Sequence, residues 1–240
     1  MKIFKALEIP SKYFFLLIYM YYTRIFHFYT YYFKRERYFK AISNSARFYF
    51  PILGLKLSIH NQELIPPPSS CFLIVANHQS TLDIPILSAT IPCAFIQRPV
   101  SFIPGISWHF GKLSLVIKRD NPISLIKSIK FVKELAASYH TPVALFPEGT
   151  RAKNRELGEL HLGAAAIAKT AKLPILPITI CNSSDFLPRG AIAVKPGTIY
   201  VVIHSPIAAE FIEGHSHAET TLLIKEKLQA GLDYYNNLPK

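Results

Sequence analysis

Two uncharged apolar runs, Cys71-Phe72-Leu73-Ile74-Val75-Ala76 and Val143-Ala144-Leu145-Phe146, each stop abruptly at a short polar island. Runs of this length without polar alternation predict strands covered on both faces, as in sheets layered between helices. The islands are Asn77-His78-Gln79-Ser80-Thr81-Leu82-Asp83 and Pro147-Glu148-Gly149-Thr150-Arg151. They fall in loops at strand ends, where α/β proteins place their chemistry. A fold with both sheet faces buried is therefore the first expectation.

From about residue 50 onward the chain alternates strand-like and helix-like stretches, and its 240 residues suffice for one domain with a substantial core. Asn121-Pro122 supplies a helix cap and first turn, and Leu125, Ile129, Val132 and Ala136 recur on one predicted helical face. Lys127, Lys130 and Lys133 lie around the polar side and read as a solvated face. Residues 158–171 are Ala-rich and predict a helix, residues 173–180 a strand, residues 199–203 a β-branched strand, and residues 218–235 a closing amphipathic helix.

Residues 1–50 differ in character. The chain carries 27 Lys and Arg against 15 acids, a net charge of +12, and an excess of seven lies in this first fifth. The same segment holds 18 of the 31 aromatic residues, so basic side chains and rings interleave. That combination serves either nucleic acid or a membrane surface. Residues 13–22 decide between them, because ten uncharged residues rich in Phe, Tyr, Leu and Ile suit lipid and not a nucleic-acid arm. The run is about half of the ~20 residues that a spanning helix needs. Residues 1–40 thus read as one or two interfacial helices, with the cluster Lys34-Arg35-Glu36-Arg37 facing anionic lipid on the cytoplasmic leaflet. A tilted span over residues 13–33 and an amphipathic helix packed on the domain are the alternatives. No small-residue cleavage site follows the apolar run, which argues against a signal peptide.

The chemistry of the first island follows from spacing. His78 and Asp83 are five residues apart, about 500° on a regular helix, so they cannot share a helical face. With His78 in the loop and Asp83 in the first turn of a helix beginning near Ser80, the carboxylate can turn back to the imidazole Nδ1. That contact fixes the tautomer and leaves Nε2 as an acceptor, the arrangement of a general base. In the second island Gly149 permits a tight turn, and the guanidinium of Arg151 suits a phosphate. Base, orienting carboxylate and phosphate clamp together suggest a phosphorylated hydroxyl compound as nucleophile.

These residues resemble the blocks of a known family, the glycerolipid acyltransferases typified by 1-acylglycerol-3-phosphate acyltransferase. The first island matches that family's Asn-His-x-x-x-x-Asp block, and Phe146-Pro147-Glu148-Gly149-Thr150-Arg151 matches its Phe-Pro-Glu-Gly-Thr-Arg block throughout. Ile103-Pro104, Trp108 and Val116-Ile117-Lys118-Arg119 resemble the intervening motif, and Leu176-Pro177-Ile178 the late strand, so the likeness covers roughly residues 55–205. It implies an α/β acyltransferase domain over residues 51–240, with a mixed, largely buried sheet flanked by helices. The first 50 residues would form the membrane-associating helical segment.

The implied reaction carries an acyl group from acyl-CoA or acyl carrier protein to the sn-2 hydroxyl of 1-acyl-glycerol-3-phosphate, with no covalent intermediate, metal or cofactor. The catalytic pair would be His78 and Asp83, with Glu148, Gly149, Thr150, Arg151 and Arg119 binding the substrate. Ser107, Lys118 and Arg98 depart from the intervening motif and leave the acceptor open. Glycerol 3-phosphate, a lyso-aminolipid, or a non-catalytic lipid-binding role are the alternatives. The expected partners are membrane lipid, the acyl carrier and a membrane surface, not nucleic acid.

The remaining candidates have bland readings. Cys71, Cys93 and Cys181 are odd in number and far apart, so buried small hydrophobes in a reducing, cytosol-facing setting fit best. His109, His161 and His204 lack metal-ligand spacing, His215 and His217 flank Ser216 in a polar stretch, and Trp108 reads as packing.

Overall fold

The computed structural model describes residues 22–23, 26–27, 29–32, 35–67, 70–97, 114–117, 123–152, 156–191 and 193–238. In order, the elements are α1 (Arg35–Ile52), β1 (Leu55–His60), β2 (Leu73–Ala76), α2 (Asp83–Thr90), β3 (Ala94–Gln97), β4 (Ser114–Val116), α3 (Ile123–Tyr139), β5 (Val143–Leu145), α4 (Gly163–Ala171), β6 (Ile175–Ile180), α5 (Ser183–Phe186), β7 (Gly197–Ile203), α6 (Ala209–Gly214) and α7 (His217–Asn236). The strands form one seven-stranded sheet in the order β1-β7-β6-β2-β5-β3-β4. Every neighbouring pair is parallel except β6 with β7. The sheet is thus mixed and helix-flanked, as expected.

Period-two alternation divides the core between its faces. Ile74 and Ala76 of β2, Ala144 of β5 and Leu176, Ile178 and Ile180 of β6 join Ala46 and Phe50 of α1 and Ile86, Leu87 and Ala89 of α2. Leu73, Val75, Val143, Leu145 and Ile175 point the other way, onto Val132 and Leu135 of α3, Ile167 and Ala168 of α4, and Ile224 and Leu228 of α7. β2, β5 and β6 are buried at every residue, which explains why the sequence shows no polar alternation there.

Connectivity brings the two islands together. β2 pairs with β5 in parallel, so residues 77 and 146 leave adjacent strands at the same sheet edge. From β2 the chain runs through α2 on one face to β3, whereas from β5 it runs through α4 on the opposite face to β6. Adjacent parallel strands whose connections depart in opposite directions open a crevice at their carboxyl ends, the usual ligand position in such sheets.

Three local expectations need correction. The buried face of α3 is Ser124, Ser128, Val132 and Leu135, while Leu125 is exposed. Serine is tolerated there because Ser128 Oγ donates to the Ser124 carbonyl at 2.7 Å, so the hydroxyl arrives already satisfied. The Ala-rich helix begins at Gly163 and not at residue 158, because residues 158–162 extend past the second island. The late strand begins at Ile175, after Pro174. The closing helix matches its expected span within a residue at each end and starts with a Ser216–Glu219 capping box.

Of the N-terminal segment, residues 1–21 lie outside the described residues, as do Arg24 and Lys34. The described part of residues 22–32 is helical and packs on α1. Thr23 Oγ1 meets Tyr49 OH at 3.2 Å, and His27 Nε2 meets Ser45 Oγ at 3.0 Å. Its burial is inverted: Thr23, His27 and Thr30 are buried, whereas Tyr22, Phe26, Tyr29 and Tyr32 are 66%, 54%, 47% and 55% exposed. Among the described residues no helix is long and apolar enough to cross a membrane.

Candidate active site

β2 ends at Ala76, yet its pairing with β6 continues through a side chain. Asn77 Nδ2 donates to the Ile180 carbonyl at 2.8 Å, and Ile180 N donates to Asn77 Oδ1 at 2.7 Å. The amide makes the two bonds that a strand backbone would make, so the main chain can leave the sheet without orphaning β6. Asn182 does the same at the end of β6, donating to the Thr198 carbonyl and accepting from Tyr200 N, both at 3.0 Å. Asn77 thus fixes the loop carrying His78 to the end of β6, and Asn182 fixes the turn after β6 to β7.

His78 follows Asn77 and Asp83 opens α2, three residues later than the helix start expected near Ser80. The carboxylate nonetheless turns back as the spacing argument requires: His78 Nδ1 and Asp83 Oδ2 are 2.7 Å apart. Oδ2 also accepts from Gln79 N at 2.6 Å and Ser80 N at 2.8 Å. Because those donors and a carboxylate leave no proton for Nδ1 to accept, Nδ1 is the donor and Nε2 carries the lone pair. Phe146 stacks on the imidazole with ring centroids 4.1 Å apart. Asp83 is fully buried, whereas the His78 side chain keeps 17% exposure. Nε2 makes no hydrogen bond to any described residue. The ring is thus clamped on one nitrogen and one face while its basic nitrogen stays available.

The second island braces the first. Phe146 to Gly149 form a turn with Pro147 second and Gly149 fourth, closed by Gly149 N donating to the Phe146 carbonyl at 3.1 Å. Gly149 has φ of 63°, the left-handed region where a side chain is strained. Glu148 is buried, and both of its oxygens are engaged: Oε1 accepts from His78 N at 2.8 Å and Oε2 from Gly158 N at 3.2 Å. Burial pushes its pKa up, and the two backbone donors oppose that shift. Glu148 therefore ties the His78 backbone to the irregular segment that follows the island. Thr150 is exposed and Arg151 half-buried, and Ala152 N donates to the His78 carbonyl at 2.8 Å, so Arg151 adjoins the residue bonded to the His78 backbone.

Sequence reasoning missed the role of Gly158. A Cβ there would lie 2.7 Å from Glu148 Oε2, so any larger residue would push the carboxylate away from its bond to the loop. Arg119 and the rest of the intervening motif apart from Val116 and Ile117, including Arg98, Ser107, Trp108 and Lys118, lie outside the described residues, as does His109. Cys93 and Cys181 are buried and Cys71 partly so, and burial pushes the Cys71 thiol up to about 11. His204 is neutral and structural: its Nε2 meets Thr179 Oγ1 at 2.8 Å, and burial lowers its pKa to about 4. His215 stacks on Phe211 and its Nδ1 donates to the Phe211 carbonyl. No three His, Cys, Asp or Glu residues converge as a metal site among the described residues.

The Glu148 arrangement makes a direct prediction. Glu148→Gln replaces one acceptor oxygen with an NH₂ group that faces a backbone N–H, so the bond to His78 or to Gly158 is lost. Stability should fall by about 1–3 kcal/mol in denaturant unfolding. The raised pKa also sets a pH sign: wild type is favoured relative to the glutamine variant below the unfolded carboxyl's pKa and loses that advantage as pH rises through the raised folded value.

The chain resembles known proteins across this region. The acyltransferase family model matches residues 56–181. The 1-acyl-sn-glycerol-3-phosphate acyltransferase of Pseudomonas aeruginosa is 30% identical over 183 residues, covering 73% of this chain and 70% of that protein. The chloroplastic enzyme of the same name from Brassica napus is 35% identical over 156 residues, 63% of this chain and 45% of that protein. The chain spans about half the length of this and other curated relatives it matches, from Chlamydomonas reinhardtii and Arabidopsis thaliana. The crystal structure of the 1-acyl-sn-glycerophosphate (LPA) acyltransferase PlsC from Thermotoga maritima aligns with a TM-score of 0.81 at 25% identity, covering 95% of each chain.

Proposed function

The chain belongs to the acyltransferase family, and on that premise we propose that it transfers a fatty acyl group from an acyl thioester to the sn-2 hydroxyl of 1-acyl-glycerol-3-phosphate. The observation that carries this reading is the 2.7 Å contact of His78 Nδ1 with buried Asp83, which leaves Nε2 as the base on a largely buried but still accessible ring. In the proposed step Nε2 takes the hydroxyl proton as the oxygen attacks the thioester carbonyl carbon. The tetrahedral intermediate collapses with cleavage of the C–S bond, and the thiolate leaves with the proton returned from the imidazolium. Phosphatidic acid and free thiol are the products, and neither a metal nor a covalent acyl-enzyme takes part. Asp83 stabilises the transient imidazolium, while Arg151 and Arg119 supply positive charge for the phosphate. Glu148, Gly149 and Thr150 shape the acceptor side of the site through the turn that holds His78.

Residues 1–50 seat this domain, residues 51–240, on the cytoplasmic leaflet. The inverted helix over residues 22–32 supports this, since burying Thr23, His27 and Thr30 while exposing four aromatic rings is the reverse of a helix packed in water. Coenzyme A or acyl carrier protein would bring the acyl group to that surface.

Incubation of the purified chain with lysophosphatidic acid in mixed micelles and an acyl-CoA should release thiol and phosphatidic acid in equal amounts. Parallel arms with glycerol 3-phosphate and a lyso-aminolipid should give far less. Thiol release independent of any acceptor, or faster acylation of another acceptor, overturns the assignment.

A further inference from the structure

Asp83 accepts a fourth hydrogen bond that lies outside both islands. Ser183, the first residue of α5 and fully buried, donates from Oγ to Asp83 Oδ1 at 2.5 Å, within the range of charge-assisted O–H···O⁻ bonds. An ionised carboxylate only accepts, so the serine proton points at Asp83. Every other donor to that carboxylate, His78 Nδ1, Gln79 N and Ser80 N, converges on Oδ2. Among the described residues Ser183 alone holds Oδ1. The segment bearing it is itself fixed to the His78 loop, by the Asn77–Ile180 pair and by Ser80 Oγ donating to the Leu187 carbonyl at 2.7 Å.

From this geometry we propose that Ser183 is a positioning residue of the reaction, acting through Asp83 on the basicity of His78. Two effects follow from one bond. Anchoring Oδ1 locks the carboxylate rotation that aims Oδ2 at Nδ1. Donation to Oδ1 also withdraws charge from the carboxylate, so the imidazolium is stabilised less than it would be beside an unshared carboxylate. Among the described residues, the charged groups on the elements bonded to the pair are Glu148, whose Oε1 accepts from His78 N, Arg151, adjacent to the residue bonded to the His78 carbonyl, and Asp185, two residues along α5 from Ser183. All three are unchanged by substitution at Ser183, so the difference between variants isolates its hydroxyl.

The proposal rests on His78 being the base, and the experiment separates the two. Thiol release is measured from pH 5 to 9 with the full chain as wild type, Ser183→Ala, Ser183→Cys and His78→Ala, and melting curves accompany each. Ser183→Ala should lower kcat about tenfold with KM for both substrates unchanged. Its acid limb in kcat/KM should move up by about half a pH unit or more. Ser183→Cys, with a weaker S–H donor, should fall between alanine and wild type on both measures. An acid limb in Ser183→Ala superimposed on that of wild type overturns the proposal, even if the rate or melting temperature drops. Activity retained in His78→Ala overturns the underlying base assignment instead.

Discussion

Replacing His78 with alanine should lower the rate of acyl transfer by about 10²–10⁴-fold, the usual contribution of a positioned general base, with KM for lysophosphatidic acid little changed. The protein should still fold. Asp83 Oδ2 keeps its bonds from Gln79 N and Ser80 N, and Oδ1 keeps Ser183, so no buried charge loses all its partners. The loss is confined to one hydrogen bond and the stack on Phe146, so circular dichroism should match wild type and the melting temperature should shift by only a few degrees. Thiol release at the wild-type rate would remove His78 from the chemistry altogether. Loss of activity with a collapsed melting curve would leave the base role unsupported, which is why both measurements are needed.

What the sequence revealed and what it hid divide along sequence distance. The His78–Asp83 contact was legible because the partners are five residues apart, and excluding a shared helical face leaves one way for them to meet. The strands β2 and β5 were legible because burial on both faces removes polar alternation. The buried face of α3 was misphased because two of its core positions, Ser124 and Ser128, carry polar letters, Ser128 Oγ being satisfied by the Ser124 carbonyl. The supports of the site were hidden for another reason. Ser183 lies 100 residues from Asp83, and Ile180 lies 103 from Asn77, so only the β2–β6 pairing brings them together. Gly158 looked like the start of an Ala-rich helix, and its function emerges only once Glu148 Oε2 is seen 2.7 Å from where its Cβ would stand. Local chemistry is written locally, whereas its scaffold is written in the topology.

Asp83→Asn should cost about 10–10²-fold in kcat, at or below the low end for His78→Ala, and should leave the fold intact. The orientation of the new amide is dictated by its neighbours. Three donors, Gln79 N, Ser80 N and His78 Nδ1, converge on the Oδ2 position, so the amide oxygen must occupy it and NH₂ must face Ser183. Nδ1 therefore keeps its proton, and the tautomer with Nε2 as acceptor survives. What disappears is the negative charge that stabilises the imidazolium in the transition state, a charge-assisted bond worth about 1.5–3 kcal/mol, or roughly 10–10²-fold in rate. Asp83→Ala behaves differently. It strands two backbone N–H groups and the Ser183 hydroxyl in a site without solvent, at about 1–3 kcal/mol for each group, so its unfolding midpoint should fall well below that of the asparagine variant. Comparing kcat and unfolding midpoints for the two variants separates the charge from the scaffold it anchors. If the asparagine enzyme turned over at the wild-type rate, Asp83 would be a structural knot only, and the imidazolium would have to be stabilised from elsewhere.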